Sequence, residues 1–400
     1  MNRADPPGTA TRRAAMHLLD AVLRQGLPLE SALDSAARHL ERADDRAFAH
    51  AIAAETLRRL PDLDALIDSA MQRPLPDDAK ARFALRIALA QALALGTPPH
   101  AAISTVLPLV EGGPRRLVHG VFSTLMRSSA PVPKVPTLPE PVAARWRAAW
   151  GEEVVAAAAS LTIVRPPIDL VGEPPAGVEG ISLLPGHLRL PAGTAVAGLP
   201  GYDGGRWWVQ DVSAAVPARM LGEGGGRTVL DLCAAPGGKT MQLALAGWQV
   251  VALDISESRL ARLSENLART GLDARLVAAD VMTWRPDAPV DAILLDAPCS
   301  STGTFRRHPD VLHRVRPAAI AELAERQKAM LARVADWLNP GGSIVYSVCS
   351  LELEEGEEVA VDFLARRGDY SLDERRRILP GEYAEEGGAD SFFIARFTRR

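Results

Sequence analysis

Few folds accommodate the stretch from Thr228 to Thr240, TVLDLCAAPGGKT. A short apolar run, Val229 to Leu232, leads into Cys233, and a Pro-Gly-Gly turn comes soon after. Behind the turn, KTMQLALAGW places Met241, Leu243 and Leu245 among good helix formers. Strand, glycine turn and helix form the first unit of a nucleotide-binding α/β fold. The glycines let the backbone approach a ligand, and the helix start offers unpaired N–H groups. The dinucleotide fingerprint Gly-x-Gly-x-x-Gly is absent. Many α/β proteins need such glycines for packing alone, so the meaning of the turn depends on the residues C-terminal to it.

Those residues carry a doubly wound pattern. Apolar runs predict strands over 228–232, 249–253, 275–278, 290–295 and 342–348, with helices over 239–246, 256–270 and 317–338. Alternating strands and helices imply a parallel sheet with helices on both faces, whose ligands bind beyond the C-terminal strand ends. Asp254, Asp280, Asp296 and Cys349 stand at four successive ends. One aspartate there reads as a helix cap. Four polar or reactive ends in a row do not.

With 400 residues, the chain is long enough for two or three domains, and 47% hydrophobic with 24% charged residues describes a globular protein. No apolar run reaches the roughly 20 residues of a bilayer span. The start, MNRADPPGTATRR, lacks an apolar signal core, and three cysteines are too few for a disulfide framework, so a cytoplasmic protein is expected. A net charge of −4 does not advertise a nucleic-acid binder, which leaves that case to local arginine clusters.

Residues 10–128 read as helices only, with apolar faces over 12–24, 44–57, 63–71, 77–95, 100–110 and 114–126. This predicts a helical bundle with a positive surface of Arg12, Arg13, Arg58, Arg59, Arg115 and Arg116, unless those arginines are simply a solvated face. A proline-rich linker comes next over 129–141, and then a small α+β element over 142–214. Within it, Trp207 and Trp208 read as core rather than as a base-stacking platform.

Cys299 and Cys349 lie beyond adjacent strands and can face one cleft, and each is followed by serine. A thiol on a loop at a ligand-binding edge is a nucleophile candidate. Methylation at carbon 5 of a pyrimidine uses a thiolate beside an adenosine-type cofactor. That carbon becomes nucleophilic only after a thiolate adds to carbon 6, and a base must later remove the carbon-5 proton. Asp296 would donate a hydrogen bond to ring nitrogen 3, for which it must be protonated or share a proton.

CAAPGGKT, LLDAPCSSTGTFRRHPD, SVCSLELEEGEE and DSFFIARF resemble the RsmB/Sun (RsmB/NOP) branch of the RNA 5-methylcytosine methyltransferases. RRAAMHLLDAVLRQGLPLESAL, DRAFAHAIAAETLRR, LDALID and PPHAAISTVLPLV resemble a NusB-type RNA-binding domain. The resemblance implies an all-α NusB-like bundle over 1–128 and a class I, Rossmann-like methyltransferase domain over 215–400. It implies S-adenosyl-L-methionine as cofactor, lined by Cys233, Ala234, Ala235, Pro236, Gly237, Gly238, Lys239, Asp254, Asp280 and Asp296. Cys349 is then the nucleophile and Cys299 assists release, with ribosomal RNA as the expected partner and no metal. Ser123 stands where the NusB-type pattern has asparagine, Val348 where the family usually has threonine, and IDLVGE replaces an Arg-Val-Asn-like run.

Cys233 reads as a packing residue of the cofactor loop. Arg306, Arg307 and His308 come just after the Cys299 loop and are candidates for holding phosphate beside a flipped base. Two other functions stay open from sequence: methylation of cytosine in tRNA or DNA, where in the DNA case Cys299 would attack, and a non-catalytic RNA-binding or antitermination-like factor.

Overall fold

A computed structural model describes residues 5–128 and 131–400; Ser129 and Ala130 of the expected linker, and residues 1–4, lie outside the described residues. The chain divides into two compact units, residues 1–163 with 305–315, and 164–304 with 316–400.

The first unit carries α1 (Thr9–Leu23), α2 (Leu29–Ala36), α3 (Ala43–Arg58), α4 (Leu60–Ser69), α5 (Lys80–Leu93), α6 (Pro99–Val106), α7 (Gly112–Ser128), α8 (Glu140–Trp150) and α9 (Glu152–Leu161). Its core is built from the stripes that the sequence pattern marks, including Leu18, Leu19, Ile52, Leu57, Leu63 and Val118. α5 is buried on nearly every side, which is why its run FALRIALA lacks a polar face. Two arginines inside it, Arg82 and Arg86, are held by Asp64 at 3.1 and 2.8 Å. Residues 131–139 form no regular element, yet they are tied down: Asp62 accepts from Thr137 N at 3.1 Å, and Pro133 O accepts from Arg59 at 2.8 Å. The sequence pattern groups α8 and α9 with the strands after them. The structure puts them in the helical unit.

A second departure is the segment 305–315, which leaves the strand-rich unit after Thr304 and packs as part of the helical one. Its short helix Val311–Arg314 has Val311 and Leu312 buried. Phe305 meets Trp146 with ring centroids 5.5 Å apart, and His313 Nε2 donates to Leu57 O at 2.7 Å. Burial pulls the His313 imidazole down from 6.5 to about 4, so it sits neutral. The unfolded chain therefore binds a proton between pH 6.5 and 4 that the folded chain refuses, and stability falls as pH drops through that window. The loss is about 3 kcal/mol for this group alone. Chemical denaturation at pH 7 and pH 4 should show the drop reduced by about that amount in His313→Gln, which keeps a donor without titrating. An equal drop in both proteins would remove His313 as its source.

The second unit opens with a three-stranded antiparallel sheet, β1 (Ile168–Gly172), β2 (His187–Leu190) and β3 (Trp207–Val209), in the order β2-β1-β3. Trp207 and Trp208 are both buried, as core residues should be. Asp169 of the IDLVGE stretch accepts a bidentate pair from Arg189 at 2.7 and 2.8 Å. Burial works against that carboxylate, but Arg189 overcomes it and holds its pKa at about 2.

After α10 (Val216–Arg219) come β4 (Thr228–Leu232), α11 (Gly238–Leu245), β5 (Gln249–Asp254), α12 (Glu257–Thr270), β6 (Arg275–Ala278) and β7 (Val290–Asp296). The segment 305–315 with its helix, α13 (Val311–Arg314), intervenes before α14 (Pro317–Val334), β8 (Leu338–Val348), α15 (Glu357–Arg366), β9 (Tyr370–Ile378), β10 (Pro380–Tyr383) and β11 (Phe392–Arg399). The seven-stranded sheet has the order β6-β5-β4-β7-β8-β11-β9. Strands β4 to β8 pair in parallel, whereas β11 is antiparallel to both β8 and β9. The sheet is thus mixed at one edge rather than parallel throughout. Strand order reverses at β4, between β5 and β7, and the crevice outside that point is where such sheets bind ligands.

Candidate active site

The glycine turn after β4 takes the shape its sequence demands. Gly237 has φ of 106°, and a Cβ there would meet Leu263 Cγ at 2.8 Å. Only glycine lets α11 start so close to α12. Asp231 in the strand is fully buried and accepts from Thr240 at 2.5 Å, which ties the first turn of the helix back to the strand. Burial pushes the Asp231 carboxyl up to about 7.

Beyond the strand ends lies a cavity of about 450 Å³ lined by Cys233, Ala235, Asp254, Asp280, Asp296, Cys299 and Cys349, with Leu253, Ile255, Val281, Pro298 and Met330 as its apolar walls and Arg259, Ser301 and Arg326 among its polar ones. Seven residues that the sequence singles out therefore share one cleft. Ala234, Pro236, Gly237 and Gly238 belong to the same loop but do not line the cleft.

Asp254, at the end of β5, is buried and receives Ala235 N at 3.2 Å, Ser256 N at 2.9 Å and Arg259 Nη2 at 2.7 Å. It fixes the glycine loop as well as facing the cleft. Asp280 accepts from Met282 N at 2.9 Å. Asp254→Ala should weaken binding of an adenosine ligand by roughly 1–3 kcal/mol, the cost of hydrogen bonds lost to a charged group. Calorimetry that shows unchanged affinity would remove Asp254 from the site.

At the other end of the cleft, Asp296 Oδ2 accepts from Lys239 Nζ at 2.7 Å and Oδ1 from Ser347 Oγ at 2.7 Å. Lys239 also lies 5.4 Å from the Phe392 ring. Burial disfavours its ammonium, but the Asp296 carboxylate outweighs burial and raises the Lys239 pKa. By sequence Lys239 belongs to the cofactor loop; its side chain instead reaches across to the end of β7.

The thiols of Cys299 and Cys349 lie 3.5 Å apart. The hydrogen bond from Cys299 lowers the Cys349 pKa, and the same bond together with burial raises that of Cys299 well above the ordinary thiol. Of the two, Cys349 is the more acidic thiol and Cys299 the less acidic one. Cys233 is different: burial pushes its thiol up to about 12, where it stays protonated and packs.

Gly303 sets the distance between the two cysteine loops. Its N–H donates to Cys349 O at 3.0 Å, and its carbonyl accepts from Ser391 N at 2.9 Å. A Cβ on Gly303 would meet Ser391 O at 2.2 Å. The TGTF and DSFF stretches thus meet at one backbone junction. Ser300, Ser350, Gln327 and Glu355 are further residues of this junction to which sequence reasoning assigns no role. A serine after each cysteine, with an acid six residues beyond the second, is the available signal.

The basic candidates fare differently. Arg12 is buried, with Nε donating to Gln91 Oε1 at 2.8 Å and its guanidinium 4.9 Å from the Phe48 ring. It belongs to the core and not to a positive surface. Arg306 is likewise buried in the helical unit, away from solvent phosphate. Arg13 and Arg307 are exposed and His308 is half-buried, while Arg58 and Arg59 both pair with Glu55. Arg115 and Arg116 are exposed on α7.

Among known proteins, the model of the 16S rRNA methyltransferase RsmB/F family matches residues 218–398, and the NusB family model matches residues 9–116. The ribosomal RNA small subunit methyltransferase B of Xylella fastidiosa is 35% identical, over 98% of each chain. The protein of that name from Erwinia tasmaniensis is 33% identical, over 98% of this chain and 99% of its own. The crystal structure of PH0851 shares the fold, with a TM-score of 0.74 at 22% identity over the full length of both chains. A NusB domain, a seven-stranded Rossmann-like sheet and relatedness along nearly the whole chain agree, and the chain belongs to the RsmB/F family of ribosomal RNA methyltransferases.

Proposed function

We propose that this enzyme methylates carbon 5 of a cytosine in small-subunit ribosomal RNA, through a covalent bond between Cys349 and the base. The observation that carries this reading is the thiol pair, 3.5 Å apart beside the Lys239–Asp296 ion pair, in the cleft at the strand ends.

The cleft suits S-adenosylmethionine. Its volume falls in the range of small-ligand sites, about 300–1,000 Å³, and it offers two carboxylates toward hydroxyl and amino groups between apolar walls. Asp254 would hold the ribose, and Asp280 with Ile255 and Val281 the adenine side. When bound, the cofactor supplies an electrophilic methyl group. The chain's own residues do the rest.

Cys349 adds as thiolate to carbon 6 of the cytosine ring, which makes carbon 5 nucleophilic. The negative charge that develops toward nitrogen 3 is met by a proton from Lys239, with Asp296 orienting the ammonium. The donor role that sequence gives to a protonated or proton-sharing Asp296 passes in this reading to Lys239, since both Asp296 oxygens accept hydrogen bonds. Once Cys349 is a neutral thioether, its charge and the hydrogen bond to its sulfur no longer help to hold the Cys299 proton. Cys299 then gives its proton to solvent in the cleft and, as thiolate, takes the carbon-5 proton; the Cys349–carbon 6 bond breaks to return the Cys349 thiolate, and nitrogen 3 returns its proton to Lys239. One thiol is donor before addition and base after it.

A base reaches both thiols only when it leaves its stack, which favours an unpaired nucleotide in folded RNA. Phosphate contacts fall to the exposed arginines, Arg13 and Arg307, together with Arg115 and Arg116, and such a substrate places the enzyme in the cytoplasm. The test is methyl transfer from labelled S-adenosylmethionine to small-subunit ribosomal RNA and, separately, to tRNA, with nucleosides identified by mass spectrometry. 5-Methylcytidine in the ribosomal RNA is the expected product. Its appearance only in tRNA would move the substrate, and its absence from both would refute the chemistry.

A further inference from the structure

Glu355 is fully buried on the loop after Cys349, and its carboxylate is engaged by the neighbours of the two cysteines rather than by their sulfurs. Oε1 accepts from Ser300 N at 2.8 Å and from Gln327 Nε2 at 3.1 Å. Oε2 accepts from Ser300 Oγ and, at 2.5 Å, from Ser350 Oγ. Ser300 stands directly after Cys299, and Ser350 directly after Cys349. The two hydroxyls also lie 3.1 Å from each other.

The frame extends outward. Gln327 on α14 donates to Pro298 O at 2.8 Å, which fixes the residue before Cys299. Tyr346 on β8 donates to Glu355 O at 2.5 Å and to Gln327 Oε1 at 3.2 Å. Burial raises the Glu355 pKa, and the four donors that fill the carboxyl lone pairs work against that cost. Two loops whose cysteines stand 50 positions apart are joined at one buried carboxyl group.

We propose that Glu355 is a positioning residue that sets the distance between the two thiols, and through it the division of labour between Cys349 and Cys299. The inference rests on the proposed two-thiol chemistry, but its test does not. Without the carboxylate, Ser300 and Ser350 are released from a common anchor, and the S–H···S hydrogen bond loses its support. The two thiols then ionise more nearly alike.

Iodoacetamide alkylation of the full-length protein, with peptide mass spectrometry across pH 6 to 10, reads each cysteine separately and needs no RNA. In the wild type, Cys349 should be modified at lower pH than Cys299. In Glu355→Ala, alkylation of Cys349 at pH 7 should slow about tenfold and the two profiles should converge, with kcat falling about 100-fold and the KM for cofactor unchanged. Glu355→Gln keeps an acceptor for Ser300 N and offers an amide to the serine hydroxyls, so its profiles should stay apart and its kcat should remain within about tenfold of wild type. A merely structural role would lower stability without merging the profiles.

If Glu355→Ala does not bind cofactor by calorimetry, Ser350→Ala, which removes one hydroxyl, carries the same test and should shift Cys349 in the same direction. Wild-type profiles and wild-type kcat in a folded Glu355→Ala or Ser350→Ala protein would overturn the assignment. If no RNA is methylated by the wild type, the functional reading fails, and the alkylation profiles still decide the role of Glu355.

Discussion

Cys349→Ala is expected to lose methyl transfer by a factor on the order of 10⁴ or more, because no other group in the cleft is a ready nucleophile. Cys233 is held protonated by burial, and Cys299 is assigned to the carbon-5 proton rather than to carbon 6. Cys299→Ala should behave differently. Addition and methyl transfer still occur, but the carbon-5 proton has no base to take it, so the enzyme stays bonded to its RNA. A denaturing gel of Cys299→Ala with substrate RNA and S-adenosylmethionine should show a retarded, denaturant-resistant band that Cys349→Ala lacks. In an enzyme that attacks with the other thiol, the band would appear in Cys349→Ala. Retained turnover in Cys349→Ala would end the assignment altogether.

Deleting the helices before Pro141 should do more than weaken RNA binding. The segment 305–315, one residue past the Thr304 end of the Cys299 loop, is built into the helical unit. Deletion removes Leu57, the partner of His313, and α1, which contacts the Val311–Arg314 helix. Exposing Val311 and Leu312 costs about 1.5–3 kcal/mol each. The shortened protein should still bind cofactor, since the cleft lies wholly in the other unit. It should bind RNA with a shallower salt dependence, form the covalent complex poorly, and be cut by protease within 305–315. Wild-type adduct formation together with resistance to cleavage in that segment would show that the helical unit does not support it.

The sheet is legible in the sequence because its signals are local. Each parallel strand is a short apolar run closed by a polar residue, and β4, β6 and the start of β5 stand where those runs predict. β8 starts four residues earlier than expected, at Leu338, because the helix before it stops at Val334. The antiparallel edge is not legible. β9, YSLDERRRI, is mostly solvent-facing and charged, so burial leaves no apolar alternation to find. α2 and α15 also escape the sequence pattern, the second because SLELEEGEE looks like loop chemistry rather than the approach to a helix.

In the site, sequence can place residues at strand ends but not say what they touch. Lys239 meets Asp296 across 57 positions, and Ser300 meets Glu355 across 55. Arg12 finds Gln91 across 79, which turns an apparent surface charge into a core residue. Pairs so distant leave no mark in periodicity. Val348, where the family usually has threonine, is fully buried in the sheet core, so the departure falls on packing beside the site.

The bond between Cys349 and carbon 6 of the target cytosine can be located by digesting the trapped Cys299→Ala–RNA complex with protease and nuclease and sequencing the linked product by tandem mass spectrometry. The expected result is a methylated cytidine on the peptide that contains Cys349. A nucleotide on any other residue, or methylated RNA released in full with no linked peptide, would contradict it.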